Sequence, residues 1–370
     1  MSSLIRPNVQ GMRAYSPGKP IDEVRREFGL DRIVKLASNE NPWGPSPLGV
    51  AAAQDALASA NFYPDGAAYE LRKALSDHHG VPIEQIVAGD GSDELIQLLG
   101  LTLLGSPDDE VVMGDPSFVQ YASVAALAPC KLIRAPLDSE ARHDLDAMAA
   151  ACTAKTKIVF IANPNNPTGT VVDRVSFEAF LSRLPESAVL VLDEAYFEFA
   201  RAYCDDYPSS QDYLSHGRVV GLRTFSKAYG MAGMRVGYGF FPTWLADGVN
   251  RVRAPFNVNC MAQAAGAAAI SDTAHLKKTI DGTREGLKKL NEIFSRVGAK
   301  VAPSFANFVW ADLGQPARPI FDALLAKGII VRPGDVLGNP NALRVSVGTP
   351  DELEMFEAAL VEVMKAPAIR

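Results

Sequence analysis

Cysteine is sparse in this 370-residue chain: Cys130, Cys152, Cys204 and Cys260 are scattered without a C-x-x-C pair. That argues against a disulfide framework and a zinc ribbon, and it fits a reducing, cytoplasmic compartment. No run of Lys and Arg occurs and the formal net charge is -7, so the electrostatic footprint of a nucleic-acid binder is missing. Long apolar runs are missing too. No stretch can span a bilayer and MSSLIRPNVQ has no apolar signal core, so neither membrane insertion nor export is expected. His78, His79, His143, His216 and His275 show no metal-ligand spacing and read as surface or helix-terminal residues. H-E-x-x-H, Walker A and strand-linked G-x-G-x-x-G patterns are absent, which leaves a dinucleotide site unsupported.

What is present is a globular composition, 48% hydrophobic and 21% charged, in a chain long enough for one large core and a smaller second domain. PIDEVRREFG predicts a short amphipathic helix with Ile21, Val24 and Phe28 on one face, Pro20 in its first turn and Gly29 as its stop. Residues 1–32 are read as an N-terminal arm. From about residue 65 to 240, helical segments alternate with QIVAG, EVVMG, KIVFIA, AVLVL, RVVGL and VGYGFF, predicting a mainly parallel sheet covered on both faces by helices. DRVSFEAFLSRL, with Val175, Phe177, Phe180, Leu181 and Leu184, suits the crossover helix of a right-handed βαβ unit. This large domain is placed at 33–252. Beyond it, a long amphipathic stretch HLKKTIDGTREGLKKLNEIFSRVG precedes strands near ANFVWADL, IIVRP and ALRVSVG. A capping box at Thr349, Pro350 and Glu352 opens the last helix of a small domain placed at 253–370.

Ligands of an open α/β sheet sit beyond the carboxyl ends of its strands. There QIVAG is followed by DGSDE, KIVFIA by NPNNPTG, AVLVL by DEAY, and RVVGL by RTFSKAYGMAGMR. Ser92 and Asp93 fall at a helix start, whose unbonded N–H groups suit a phosphate; an ordinary N-cap has the same look. Lys227 sits among hydroxyls and glycines, with Arg235 eight residues on. A solvated lysine is the plain alternative, but desolvation and a neighbouring cation would equip this one to form a Schiff base. Asp193 emerges from a buried run and needs a donor or cationic partner, such as a protonated pyridine nitrogen, unless it merely caps a helix.

PNNPTG, DEAY and SKAYGMAGMR, in this order and spacing, resemble the fold-type I pyridoxal-phosphate aminotransferases of class I/II. With LASNENPWGPSP, FYPDG, GSDELI, RVRAPFNVN and LRVSVGT, the resemblance extends over nearly the whole chain, to the histidinol-phosphate aminotransferase subfamily. It implies an α/β fold: a large domain with a mainly parallel, seven-stranded-type sheet between helices, plus a smaller α+β domain. It implies pyridoxal 5'-phosphate held by Lys227, with Asp193 on the pyridine nitrogen and Asn166 and Tyr196 as donors to the ring's O3'. The phosphate would fall to Thr224, Ser226, Arg235, Ser92 and the backbone N–H of Asp93. Phe118 takes the place of a stacking ring that is often tyrosine in the family. Tyr63 matches a tyrosine that reaches across a homodimer interface to the neighbouring cofactor. Arg332 and Arg344 match binders of the substrate's anionic end, Tyr15 matches a residue that closes over substrate, and Asn39 lies in the same entrance region. The implied reaction is transamination of histidinol phosphate with 2-oxoglutarate in histidine biosynthesis. An aromatic amino-acid aminotransferase and a threonine-phosphate decarboxylase, a lyase, would use the same arginines and stay open. A cofactor-binding regulator fits the acidic charge poorly.

Overall fold

The computed structural model describes residues 4–12 and 19–365, so Tyr15 lies outside the described residues. Its strands are β1 Val34–Lys35, β2 Ile86–Gly89, β3 Glu110–Asp115, β4 Lys131–Pro136, β5 Thr156–Ala162, β6 Val189–Asp193, β7 Val219–Thr224, β8 Gly237–Phe240, β9 Lys300–Val301, β10 Phe308–Asp312, β11 Ile329–Ile330, β12 Arg332–Pro333 and β13 Ala342–Ser346. Seven of them form one sheet in the order β2-β8-β7-β6-β5-β3-β4. Strands β3 to β7 pair in parallel, and β8 runs antiparallel to both its neighbours.

The apolar runs make these strands because both faces of a parallel sheet are covered, so every side chain meets protein. Ile158 and Phe160 of β5 enter a core with Leu95, Leu98 and Leu99 of helix Gly91–Leu103. Val159 and Ile161 enter the opposite one with Phe177 and Phe180. Successive residues thus serve different layers, as the pleat dictates. Strand β4, KLIRAP, has no such run. It lies at the sheet edge with most of its residues partly or fully exposed, so the six apolar runs of the sequence fall one strand short.

Helix Arg174–Leu181 is the crossover between β5 and β6, and the Asp173 side chain caps it by accepting from Ser176 N at 2.8 Å. Phe177, Phe180, Leu181 and Leu184 are buried, whereas Val175 is 73% exposed and takes no part in that core. Helix Ile21–Phe28 likewise docks through Val24 alone, with Ile21 and Phe28 both part-exposed. His143 departs from the surface reading: it is buried behind β5, and its Nε2 bonds Ala162 O at 3.1 Å. His275 is buried as well, in the first turn of helix Thr273–Arg296.

The second sheet is antiparallel, β12-β13-β10-β9. It packs Val309, Leu343 and Val345 against Leu290 and Phe294 of helix Thr273–Arg296 and Phe356 of helix Pro350–Lys365. That last helix opens with Thr349 N donating to Glu352 Oε2 at 2.7 Å and Glu352 N donating to Thr349 Oγ1 at 3.4 Å, a capping box. Strand β1 pairs in parallel with β11, which seats Val34 and Leu36 in this C-terminal core. Helix Cys260–Ala269 packs the other way, its Ala262 and Ala265 sharing a core with Ala53, Leu71 and Phe225. Among the described residues no helix is long and apolar enough to cross a membrane.

Candidate active site

Strand β6 presents Val189 and Val191 to the layer containing helix Val119–Leu127, and the same face continues to Asp193 at its carboxyl end. Helix residue Tyr121 therefore reaches it: the Tyr121 hydroxyl donates to Asp193 Oδ2 at 2.7 Å, while Ala195 N donates to Oδ1 at 3.2 Å. Asp193 is 4% exposed, and burial pushes its carboxyl up to about 6 against the pull of the Tyr121 bond. Tyr121 is fully buried, stacked on Phe160 with centroids 4.4 Å apart and meeting Phe118 edge-on at 5.7 Å. Tyr121 is not among the residues singled out from the sequence. Its signal was a tyrosine one turn beyond Phe118 in an apolar helix, where a buried hydroxyl must find a partner.

Lys227 follows β7, half-buried, and its Nζ donates to Ser38 O at 3.3 Å. Desolvation first, then the charge of Arg344 and more weakly that of Arg235, lower its amine to about 8 against the opposing pull of Asp93 and Glu40. Its nitrogen stands 5.9 Å from the centroid of the Tyr196 ring. Tyr196 is buried edge-on against Phe308, and burial pushes its phenol up to about 12. Its hydroxyl accepts from Asn39 Nδ2 at 2.9 Å.

The turn between β2 and helix Gly91–Leu103 meets Arg235 at close range. Gly91 adopts φ 71°, and a Cβ on it would lie 2.5 Å from Arg235 Nη2; one on Gly237 would lie 2.5 Å from Ser92 N. Two glycines thus open the helix N-terminus toward Arg235, which stands 3.8 Å from Asp90 and 3.9 Å from Asp93. Burial raises the Asp93 carboxyl, while Arg235 and Lys227 lower it. Ser226 N donates to Thr224 Oγ1 at 3.1 Å, and the Thr224 hydroxyl donates to Ser226 Oγ at 3.0 Å. A helix N-terminus, a guanidinium and two hydroxyls make a donor set that fits a phosphate dianion. A buried carboxylate fits a cationic ring nitrogen, and a half-buried amine fits a covalent link to an aldehyde. The residues present therefore suit the cofactor expected from the sequence.

Toward the second sheet, Arg344 donates from Nη1 to Asn166 Oδ1 at 2.6 Å and from Nη2 to Ala37 O at 2.7 Å. Arg332 lies directly across from it in the β12–β13 register, on the same face. Like charges placed so repel, and an anion between them relieves the repulsion. Tyr63 stands apart, 82% exposed and stacked on Phe256 at 4.7 Å. Asn39, expected at the entrance, is instead 1% exposed, with its side-chain amide bonded to Tyr196 and Ser346.

The family model for aminotransferase class I and II matches residues 31–360. The chain belongs to this aminotransferase family. It is 45% identical over 361 residues to the histidinol-phosphate aminotransferase of Moorella thermoacetica, covering 97% of this chain and 92% of that protein. To the histidinol-phosphate aminotransferase of Akkermansia muciniphila it is 42% identical, with 99% of each covered. The crystal structure of histidinol-phosphate aminotransferase from Sinorhizobium meliloti in complex with pyridoxal-5'-phosphate superposes with a TM-score of 0.90 at 29% identity, over 99% of this chain and 98% of that one. As in any aminotransferase, an amino group must be held while a proton leaves carbon, and the only lysine among the strand-end residues above is Lys227.

Proposed function

We propose that this aminotransferase uses pyridoxal 5'-phosphate to exchange the amino group of histidinol phosphate with 2-oxoglutarate, giving imidazole-acetol phosphate and glutamate, in cytoplasmic histidine biosynthesis. The observation that carries the reading is Lys227: an amine 5.9 Å from the Tyr196 ring centroid, lowered to about 8 by desolvation and by the charge of Arg344. The high identity to histidinol-phosphate aminotransferases over nearly full length supports the substrate.

When bound, the cofactor supplies an electron sink for the bond-breaking at the substrate's Cα. In this reading Asp193 pairs with its ring nitrogen, Asn166 and Tyr196 donate to O3', and Phe118 covers the ring. Thr224, Ser226, Arg235, Ser92 and the N–H of Asp93 hold the phosphate. Lys227 takes and returns the Cα proton, which an amine titrating near neutral pH does well. Arg332 and Arg344 grip the anionic end of each substrate in turn, because a guanidinium fork accepts either a phosphate or a carboxylate. Tyr15 closes over the substrate, excluding water. The exposed pair Tyr63 and Phe256, near exposed Phe62 and Leu57, supports a homodimer in which Tyr63 serves the neighbouring site. We assign residues to about 32 to an arm. For the small domain, expected at 253–370, the packing of helix Cys260–Ala269 and of β1 supports a later start, at about 272, and counting 34–36 with it.

Purified protein loaded with cofactor would be given, separately, histidinol phosphate, phenylalanine and threonine phosphate, the first two with 2-oxoglutarate. Glutamate formed fastest from histidinol phosphate is the expected result. Preference for phenylalanine would overturn the substrate, and carbon dioxide release from threonine phosphate without glutamate formation would overturn the reaction.

A further inference from the structure

Every polar group of Asn39 is engaged within the protein. Its backbone, in the left-handed region at φ 55°, donates from N to Ser346 Oγ at 2.8 Å and accepts at O from Asn307 Nδ2 at 3.0 Å. Its side chain accepts at Oδ1 from Ser346 Oγ at 2.9 Å and donates from Nδ2 to the Tyr196 hydroxyl at 2.9 Å. The directions of these bonds follow from one another. Ser346 Oγ accepts from the backbone N–H of Asn39 through a lone pair, and because an amide oxygen only accepts, the Ser346 proton goes to Asn39 Oδ1. The amide oxygen thus faces Ser346 and the nitrogen faces Tyr196. An amide nitrogen accepts nothing, so the Tyr196 oxygen is the acceptor and its own proton must point elsewhere.

We infer that Asn39 and Ser346 are positioning residues that fix the direction of the Tyr196 hydroxyl proton, turning it toward the ring oxygen of the bound cofactor. This rests on the reading that Tyr196 donates to O3'. Strand β13 then governs both donors proposed for that oxygen, since Arg344, two residues before Ser346, holds Asn166. The charged groups that bear on Tyr196 are Arg344, Asp193 and Asp93, and those on Lys227 are Arg344, Asp93, Glu40 and Arg235.

Asn39→Asp keeps the shape and the Ser346 bond but turns a donor into an acceptor, so the Tyr196 proton swings to the new carboxylate. The ring oxygen then loses its phenol donor. That donor stabilises the negative oxygen left when the proton shared with the lysine–cofactor linkage departs, so its loss raises the pH at which the linkage titrates. The test is a pH titration of the visible absorption band in wild-type, Asn39→Asp, Tyr196→Phe and the double variant, all loaded with pyridoxal phosphate. Each single variant is expected to raise the midpoint by about one to two pH units. The double variant should exceed Tyr196→Phe only by a small contribution of the added charge. Ser346→Ala, which frees the amide to turn, should shift the midpoint in the same direction by less. Fully additive shifts, or unshifted midpoints in Asn39→Asp and Ser346→Ala, would overturn the relay. A wild-type protein with no titrating visible band would sink the cofactor reading beneath it, and that failure is visible before any variant is made.

Discussion

Replacing Tyr121 with phenylalanine removes one oxygen and leaves the ring stacked on Phe160, so it isolates the bond to Asp193. A hydrogen bond to an ionised group contributes about 1.5–3 kcal/mol, and one pH unit corresponds to about 1.4 kcal/mol. The Asp193 carboxyl, already pushed up to about 6, should therefore climb by about one to two units more. A carboxyl raised in the folded state stabilises the fold while protonated, fully below its unfolded value near about 3.9, and loses that contribution as pH rises through its folded value. In cofactor-free wild type the loss is complete soon above pH 6; in Tyr121→Phe it continues toward about pH 8. The stability gap between the two proteins should thus widen by about 1.5–3 kcal/mol between roughly pH 5 and pH 8. Urea unfolding of both cofactor-free proteins at the two pH values measures this, provided the slopes agree. A gap that stays constant or narrows would refute the reasoning, because Tyr121 would then be packing alone.

Lys227→Ala should abolish the visible absorption of the bound cofactor and transamination while far-ultraviolet circular dichroism stays unchanged; an active variant would show that another lysine acts. Gly91→Ala places a side chain at φ 71° and 2.5 Å from Arg235 Nη2, so cofactor affinity should fall about tenfold or more in a fluorescence titration. Arg344→Lys keeps the charge but loses the fork that holds Asn166 and Ala37, and KM for both substrates should rise about tenfold in steady-state kinetics. Glu194→Gln removes the negative charge that compensates buried Arg223, whose Nε donates to Glu194 Oε2 at 2.9 Å and which is 1% exposed, and should cost about 3–5 kcal/mol in urea unfolding.

Much of this molecule was legible because its signals are local. Apolar runs marked β2, β3 and β5 to β8, and the Thr349–Glu352 capping box marked the last helix. Strand β4 escaped because an edge strand with an exposed face carries no such run. Val175, Ile21 and Phe28 were given faces by periodicity, but the neighbour that would cover them is a matter of tertiary placement. The site residues that follow strand ends could be gathered from the chain, since the fold brings those ends together. Asn39 could not be understood that way: its partners Tyr196 and Ser346 lie 157 and 307 residues off, and nothing in SNENP announces them. Tyr121 had the wrong camouflage, an aromatic in an apolar helix, until Asp193 appeared opposite its hydroxyl.

The two-residue ladder of β1 and β11 pairs Val34 with Ile329 and Lys35 with Ile330. Residues 36–40, which carry Ser38 beside Lys227 and Asn39 beside Tyr196, hang directly from it. On a ribosome all seven strands of the large sheet have been made once residue 240 has emerged, but this ladder must wait for residue 330, and Ser346 comes later still. The nascent chain therefore carries every strand of that sheet, with Lys227 in the loop after β7, well before the segment that pins down Ser38 and Asn39 has been made. Maturation of the lysine's surroundings is thereby tied to the end of synthesis, and a chain truncated before residue 330 should keep much of the sheet yet lack the settled amine.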